Sequence, residues 1–200
     1  MSTETGTYTV RSIRADEWPA VKALRLRALQ DPVAHLAFVD TYDSAAARPD
    51  GYWQERTIGA AEESVSARQF VVVAPGGEWV GSAAVLVEAG GSTDWAGFAV
   101  EQDQGHIVGV YVRPEYRGRG LTERLFAAAL DWAWEAGLHR VRLIVHEENT
   151  HAQGFYRKAG FQATGVVVPL KGQDGREDAR ELEFAITRDA VREAPESGSA

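Results

Sequence analysis

A chain of 200 residues has room for one domain and buries about 70% of its unfolded surface without a metal or disulfide staple. Its composition, 44% hydrophobic and 25% charged with no cysteine, is that of an ordinary globular protein and excludes disulfide frameworks, thiol nucleophiles, thiolate zinc sites and iron–sulfur clusters. The net charge of −8 leaves no general basic face for phosphate, which argues against nucleic acid as a partner and mildly favours cationic ones.

The opening residues, Met1 to Gly6, lack the basic and apolar regions of a secretory signal. No apolar run approaches the roughly 18 residues of a membrane span, so the expectation is a cytoplasmic protein with no membrane partner. One domain is expected over residues 1–200, with an ordered core at about 7–190 between a flexible start and the tail Arg192 to Ala200. Tyr8 to Arg14 alternates as a strand does, and Asp16 is placed to cap a helix from Trp18 to Gln30, whose apolar positions are Val21, Leu24, Leu26 and Leu29. Pro32 breaks that helix, His35 to Phe38 suggests a turn, and a second helix is expected from Tyr52 to Glu63.

The period then changes. Phe70 to Ala74, the turn Pro75-Gly76-Gly77-Glu78 and the run Trp79 to Glu88 form a hairpin. Ala89 to Gln104 is glycine-rich and extends the sheet through Phe98 and Val100, and His106 to Val112 is a strand. Leu121 to Ala136 has helical spacing and Gly137 ends it; Val141 to Val145 is the next strand and Ala152 to Ala159 the next helix. Two strands, Gln162 to Val168 and Glu181 to Thr187, flank the polar loop Lys171 to Asp178. The order β-α-α-β-β-β-α-β-α-β-β describes an α/β domain with a mixed sheet.

The chemistry concentrates between Gly105 and Phe161. A strand ends at Val112, and Arg117-Gly118-Arg119-Gly120-Leu121 then leads into a helix. Glycines in such a turn let backbone N–H groups face outward, and the helix start adds partial positive charge, so the turn suits a phosphate or pyrophosphate. Arg117 and Arg119 can add charge-assisted hydrogen bonds. Downstream, Ala152, Tyr156, Gly160 and Phe161 stand three, seven, eleven and twelve residues after Asn149.

With Val110-Tyr111-Val112-Arg113-Pro114-Glu115-Tyr116-Arg117-Gly118-Arg119-Gly120-Leu121 and Asn149 through Phe161, the sequence resembles the GCN5-related N-acetyltransferase (GNAT) superfamily. The resemblance covers about residues 7–190. It implies the acyl-CoA N-acyltransferase fold: a mixed, mostly antiparallel sheet of six to seven strands flanked by about four helices. It also implies acetyl-CoA as co-substrate and an amine acceptor. In the family's Gln/Arg-x-x-Gly-x-Gly/Ala pattern Arg117 and Gly120 match, while Thr122 departs from the last position; its N–H still serves pyrophosphate.

The resemblance further places pantetheine beside Val110, Tyr111 and Val112, in a gap between the strands ending at Val112 and Val145. The Val110 N–H faces the thioester oxygen and stabilises an oxyanion. Tyr156 protonates the departing thiolate, and Asn149 holds the strand end and the cofactor arm. His106 is the candidate general base, since an imidazole with a reference pKa of about 6.5 suits the task. It stands about 13 Å along the strand from Val110, which calls for a water relay; Glu147, His146 and solvent are the alternatives. Each residue also has a plainer reading: Tyr156 as core, His106 as a hydrogen-bonded structural histidine, Asn149 as a helix N-cap.

By the same resemblance the acceptor pocket draws on His35, Phe38, Asp40, Tyr42, Asp43, Trp53 and Arg56. The carboxylates of Asp40 and Asp43 can attract a cation, and Tyr42 and Trp53 can cover an apolar body. The acceptor is a small-molecule amine, or the N-terminus or a lysine of a protein. No metal is called for, and the chain is a monomer or homodimer. The alternative function is a non-catalytic acyl-CoA-binding or sensing module.

Overall fold

The computed structural model describes residues 7–94, 96–169 and 180–189. The described residues hold seven strands and five α-helices, and the chain separates into two compact units. The first comprises residues up to Val87 together with Ile107–Trp132; the second comprises Glu88–His106 and the residues from Ala133 onward.

In the first unit, β1 (Thr9–Ser12) pairs antiparallel with β2 (Ala67–Val73), which pairs antiparallel with β3 (Trp79–Glu88), and β4 (Gln104–Val112) is the next strand of the order. The β2–β3 hairpin closes as its sequence predicts: Gly77 takes φ +84 at the tip, and Ala74 N–H donates to the Glu78 carbonyl at 2.8 Å. Gly81 on β3 is required by close approach. A Cβ there would lie 2.9 Å from the Tyr111 carbonyl oxygen.

Helix α1 (Trp18–Leu29) starts with Pro19 in its first turn, where a missing N–H costs nothing. The N-cap is Glu17 rather than the expected Asp16, and no side chain caps the helix. The Glu17 carboxylate is instead held by Arg11 and by the backbone N–H of Arg14. A single 3-10 turn spans Ala34–Leu36, then α2 (Tyr42–Ala46) and α3 (Asp50–Ile58) follow. The second expected helix is shorter than predicted: Gly59 closes α3, and Ala60 and Ala61 turn into the core instead of continuing it. Leu29, Ala45 and Trp53 pack one cluster between these helices; Leu24, Ala28 and Tyr111 pack another against the sheet. Helix α4 (Leu121–Glu135) begins in this unit, with Leu121, Leu125, Phe126 and Ala129 buried.

In the second unit, β5 (Arg140–His146) and β6 (Gln162–Pro169) each pair antiparallel with β7 (Arg180–Thr187), in the order β5-β7-β6. Helix α5 (Thr150–Lys158) precedes β6 and stops before Gly160, whose φ of +91 is the left-handed conformation that ends helices. Leu143, Val145, Phe161, Phe184 and Ile186 are buried in this unit's core. The stretch expected to extend the sheet through Phe98 and Val100 forms no strand. It is a loop with one isolated bridge, Thr93 to Ala99, because Asp94 captures the N–H groups of Ala96 and Phe98 with its own carboxylate. The loop Lys171 to Asp178 lies outside the described residues.

Candidate active site

The turn before α4 has the backbone its glycines predict. Gly118 and Gly120 both take φ +71, and nothing lies within 4 Å of where a Cβ would stand on either. Two left-handed glycines ahead of a helix whose first N–H groups lack intrahelical partners make an open anion-accepting concavity. That geometry fits the pyrophosphate of a CoA thioester. The arginines do something else here. Arg117 Nε donates to the Val112 carbonyl at 2.9 Å and its guanidinium pairs with Asp31, whose side chain is 4% exposed. Arg119 donates to the Tyr8 hydroxyl and to the Glu115 carbonyl. Both therefore brace the turn, leaving backbone N–H groups to face a ligand. Leu121 is buried beneath it, and Thr122 is partly buried.

On β4, Gly109 takes φ +64 in the middle of the strand. A left-handed residue inside a strand is the backbone signature of a bulge, which re-aims the groups beside it. Val110 follows directly, with Tyr111 and Val112 buried after it. Sequence reasoning named Val110 and passed over Gly109; the signal available was a glycine inside a β-branched run.

Next to Gly109 the first unit holds a small solvent-open pocket, walled by α1, by Phe38, by Arg56 and by Ser82, Ala83 and Ala84 of β3. Of the predicted acceptor residues, Phe38 and Arg56 line it and the others do not. Trp53 is 1% exposed and sits in the core. Asp40 is paired with Arg48 at 3.2 Å, and His35, Tyr42 and Asp43 are exposed. Arg25, which the sequence reading did not name, faces the pocket with its guanidinium 4.3 Å from the Phe38 ring centroid.

In the second unit, Tyr156 is buried on α5 with its ring against Phe155, Phe161 and Phe184. Burial pushes its phenol up to about 12, so it holds its proton throughout the neutral range. Asn149 is the N-cap of α5: its side-chain oxygen accepts from Ala152 N–H at 3.1 Å. His146 is buried and accepts from the Glu148 N–H at 3.2 Å, while Glu147 pairs with Arg180.

His106 is 4% exposed and lies 3.0 Å through Nδ1 from Glu88. Glu88 is also gripped by Arg142, through Nε at 2.8 Å and Nη2 at 2.6 Å. Arg142 is 2% exposed and reaches Asp94 and Glu183 as well, and Glu183 pairs with Arg140. Burial pushes Glu88 up, but the hydrogen bonds and charges of His106 and Arg142 outweigh it and hold the carboxyl near 2. An ionised Glu88 accepts from the His106 Nδ1–H and thereby leaves Nε2 as the ring's proton acceptor. Sequence reasoning missed Glu88, Asp94, Arg142 and Glu183, since they stand far apart along the chain.

The family model of the acetyltransferase (GNAT) family matches residues 22–161, well over half of the chain. This protein belongs to that family. An aminoglycoside N(6')-acetyltransferase type 1 of Stenotrophomonas maltophilia is 30% identical over 99 residues, 50% of this chain and 62% of the relative. The chain spans between 32% and 62% of the length of the curated relatives it matches. An acetyltransferase of the GNAT family from Streptococcus pneumoniae has the same fold, with TM-score 0.71 at 15% identity over 90% of this chain and 99% of that one. A protein of Salmonella typhimurium solved with its cofactor acetyl-CoA is similar at TM-score 0.65 and 18% identity, over 91% and 94% of the two chains. No helix among the described residues is long and apolar enough to cross a membrane.

Proposed function

We propose that this GNAT-family protein is an acetyl-CoA-dependent N-acetyltransferase acting on a primary amine. The carrying observation is the open turn of two left-handed glycines, Gly118 and Gly120, that runs into α4 inside the family match. Acetyl-CoA, when bound, supplies the acetyl group as an activated thioester. The backbone N–H groups from Gly118 to Thr122 receive its pyrophosphate, while Arg117 and Arg119 hold the turn in shape. Backbone polar groups of Val110, Tyr111 and Val112 align the pantetheine arm, and the Val110 N–H donates to the thioester oxygen.

The amine must lose a proton before its nitrogen can bond to the acetyl carbon. His106, oriented by Glu88, takes that proton through water. As the carbon–sulfur bond breaks, the sulfur collects a proton from Tyr156, which burial keeps protonated at neutral pH, and the second proton shed by the acylated nitrogen returns to the phenol. Asn149 fixes the start of α5 and hence the placement of Tyr156. The relatives support an amine acceptor, because the Stenotrophomonas protein is named for one.

Incubation with acetyl-CoA and a panel of primary amines, read by release of free CoA thiol, tests the reading. Amine-dependent release is expected. CoA binding by calorimetry with no release across the panel would mark the protein as an acyl-CoA-binding module instead.

A further inference from the structure

The first unit contains eleven arginines, and nine of them donate to an acceptor within it. The two that make neither an ion pair nor a hydrogen bond among the described residues are Arg25 and Arg56, and both line the same pocket. Leaving two guanidiniums near each other without a counter-ion is unfavourable. Burial, and next the charge of Arg56, brings Arg25 down to about 10 from its ordinary range. The acid whose charge acts on Arg25, Asp40, is itself paired with Arg48. Around the two cations the pocket wall is otherwise apolar or neutral, with Leu24, Phe38 and Tyr111 among its lining and Ser82 and Gln69 supplying polar atoms.

We infer that the pocket of the first unit binds a carboxylate, held by Arg25 and Arg56, so that the acceptor is an amine that also carries a carboxyl group. The guanidinium fork matches the planar carboxylate, and the cation-stacked Phe38 ring fixes the Arg25 fork in place. Leu24 and Phe38 then cover the apolar body of the ligand. The pocket's local charge is opposite in sign to the chain's net charge, and this selects an acceptor class that the whole-chain balance does not suggest. The inference rests on the acetyltransferase reading for the word acceptor, but the binding site stands without it.

Two measurements separate the two claims. In the first, thermal unfolding is followed with free amino acids and with the matching amino-acid amides, without acetyl-CoA. At least one amino acid is expected to raise Tm where its amide does not, and Arg25→Gln and Arg56→Gln each to abolish the difference. In the second, the ratio of kcat/KM for an amino acid to that for its amide is measured. It is expected to fall about tenfold to a hundredfold in each variant, mostly through KM, and Arg25→Lys, which keeps the charge and loses the fork, to restore it only in part. Amides that bind and react as well as their parent acids overturn the inference and leave the transferase reading intact. A carboxylate-dependent rise in Tm with no acetyl transfer does the reverse. An aminoalkylphosphonate preferred over every amino acid overturns the carboxylate assignment.

Discussion

Arg142 holds Glu88 by two nitrogens at 2.6 and 2.8 Å, and Glu88 in turn lies 3.0 Å from His106 Nδ1. The folded Glu88 carboxyl, near 2, is far below its ordinary 4.5. Its contribution to stability is therefore present above about pH 4.5 and is lost as pH falls toward 2, amounting to on the order of 3 kcal/mol. Urea unfolding of the wild type between pH 7 and pH 3 is expected to show this loss. Glu88→Gln should be less stable at pH 7 and show a flatter acid limb. An equally steep limb in the variant would place the acid sensitivity elsewhere.

His106 shares that carboxylate, so its replacement separates structure from catalysis. His106→Gln keeps a hydrogen-bonding side chain beside Glu88 and removes a proton acceptor. Turnover is expected to fall about a hundredfold and the acidic limb of the pH–rate profile to disappear, with the KM for acetyl-CoA unchanged. A profile that keeps its limb would reassign the base to His146, Glu147 or solvent.

Tyr156 gains its packing from the ring and its proposed chemistry from the hydroxyl. Tyr156→Phe retains the contacts with Phe161 and Phe184. We expect Tm within a few degrees of the wild type and kcat lower by about two orders of magnitude. Stopped-flow detection of thiol release measures the effect, and an unchanged kcat would return Tyr156 to the core.

Gly109→Ala meets no atom within 4 Å, so its cost is conformational: φ of +64 disfavours any side chain by about 1–2 kcal/mol. Gly77→Ala, at φ +84 in the hairpin tip with equally open space, carries a similar cost. Both variants should lose comparable stability in denaturant titration. Only Gly109→Ala should also lose activity, by about tenfold or more, because it re-aims the Val110 N–H. Equal activity losses would mean that instability alone explains them.

What the sequence disclosed was local. The turn at Gly118 and Gly120, the cap at Asn149 and the hairpin around Gly77 each follow from a few adjacent residues, and the structure has them where their spacing implies. Element ends were less legible. Helix α2 has one buried residue, Ala45, which gives no period to detect. The capping carboxylate next to α1 went to Arg11 rather than to the helix, and nothing nearby in the chain announces that pairing. The charged network around Arg142 unites residues from Glu88 to Glu183, and only the pairing of strands brings them together. Arg25 is harder still. In the run Leu24-Arg25-Leu26-Arg27 it looks like one of two solvated charges, yet Arg27 pairs with Glu115 while Arg25 turns inward to Phe38.

The stretch Ser82-Ala83-Ala84 gives the pocket wall no long side chain. Width there is a matter of omission, and evolution can adjust it a methyl group at a time on a rigid strand, with the acid–base groups left alone. On the proposed reading, selectivity and reactivity are thereby separately mutable: the accepted amine can change while the transfer chemistry stays.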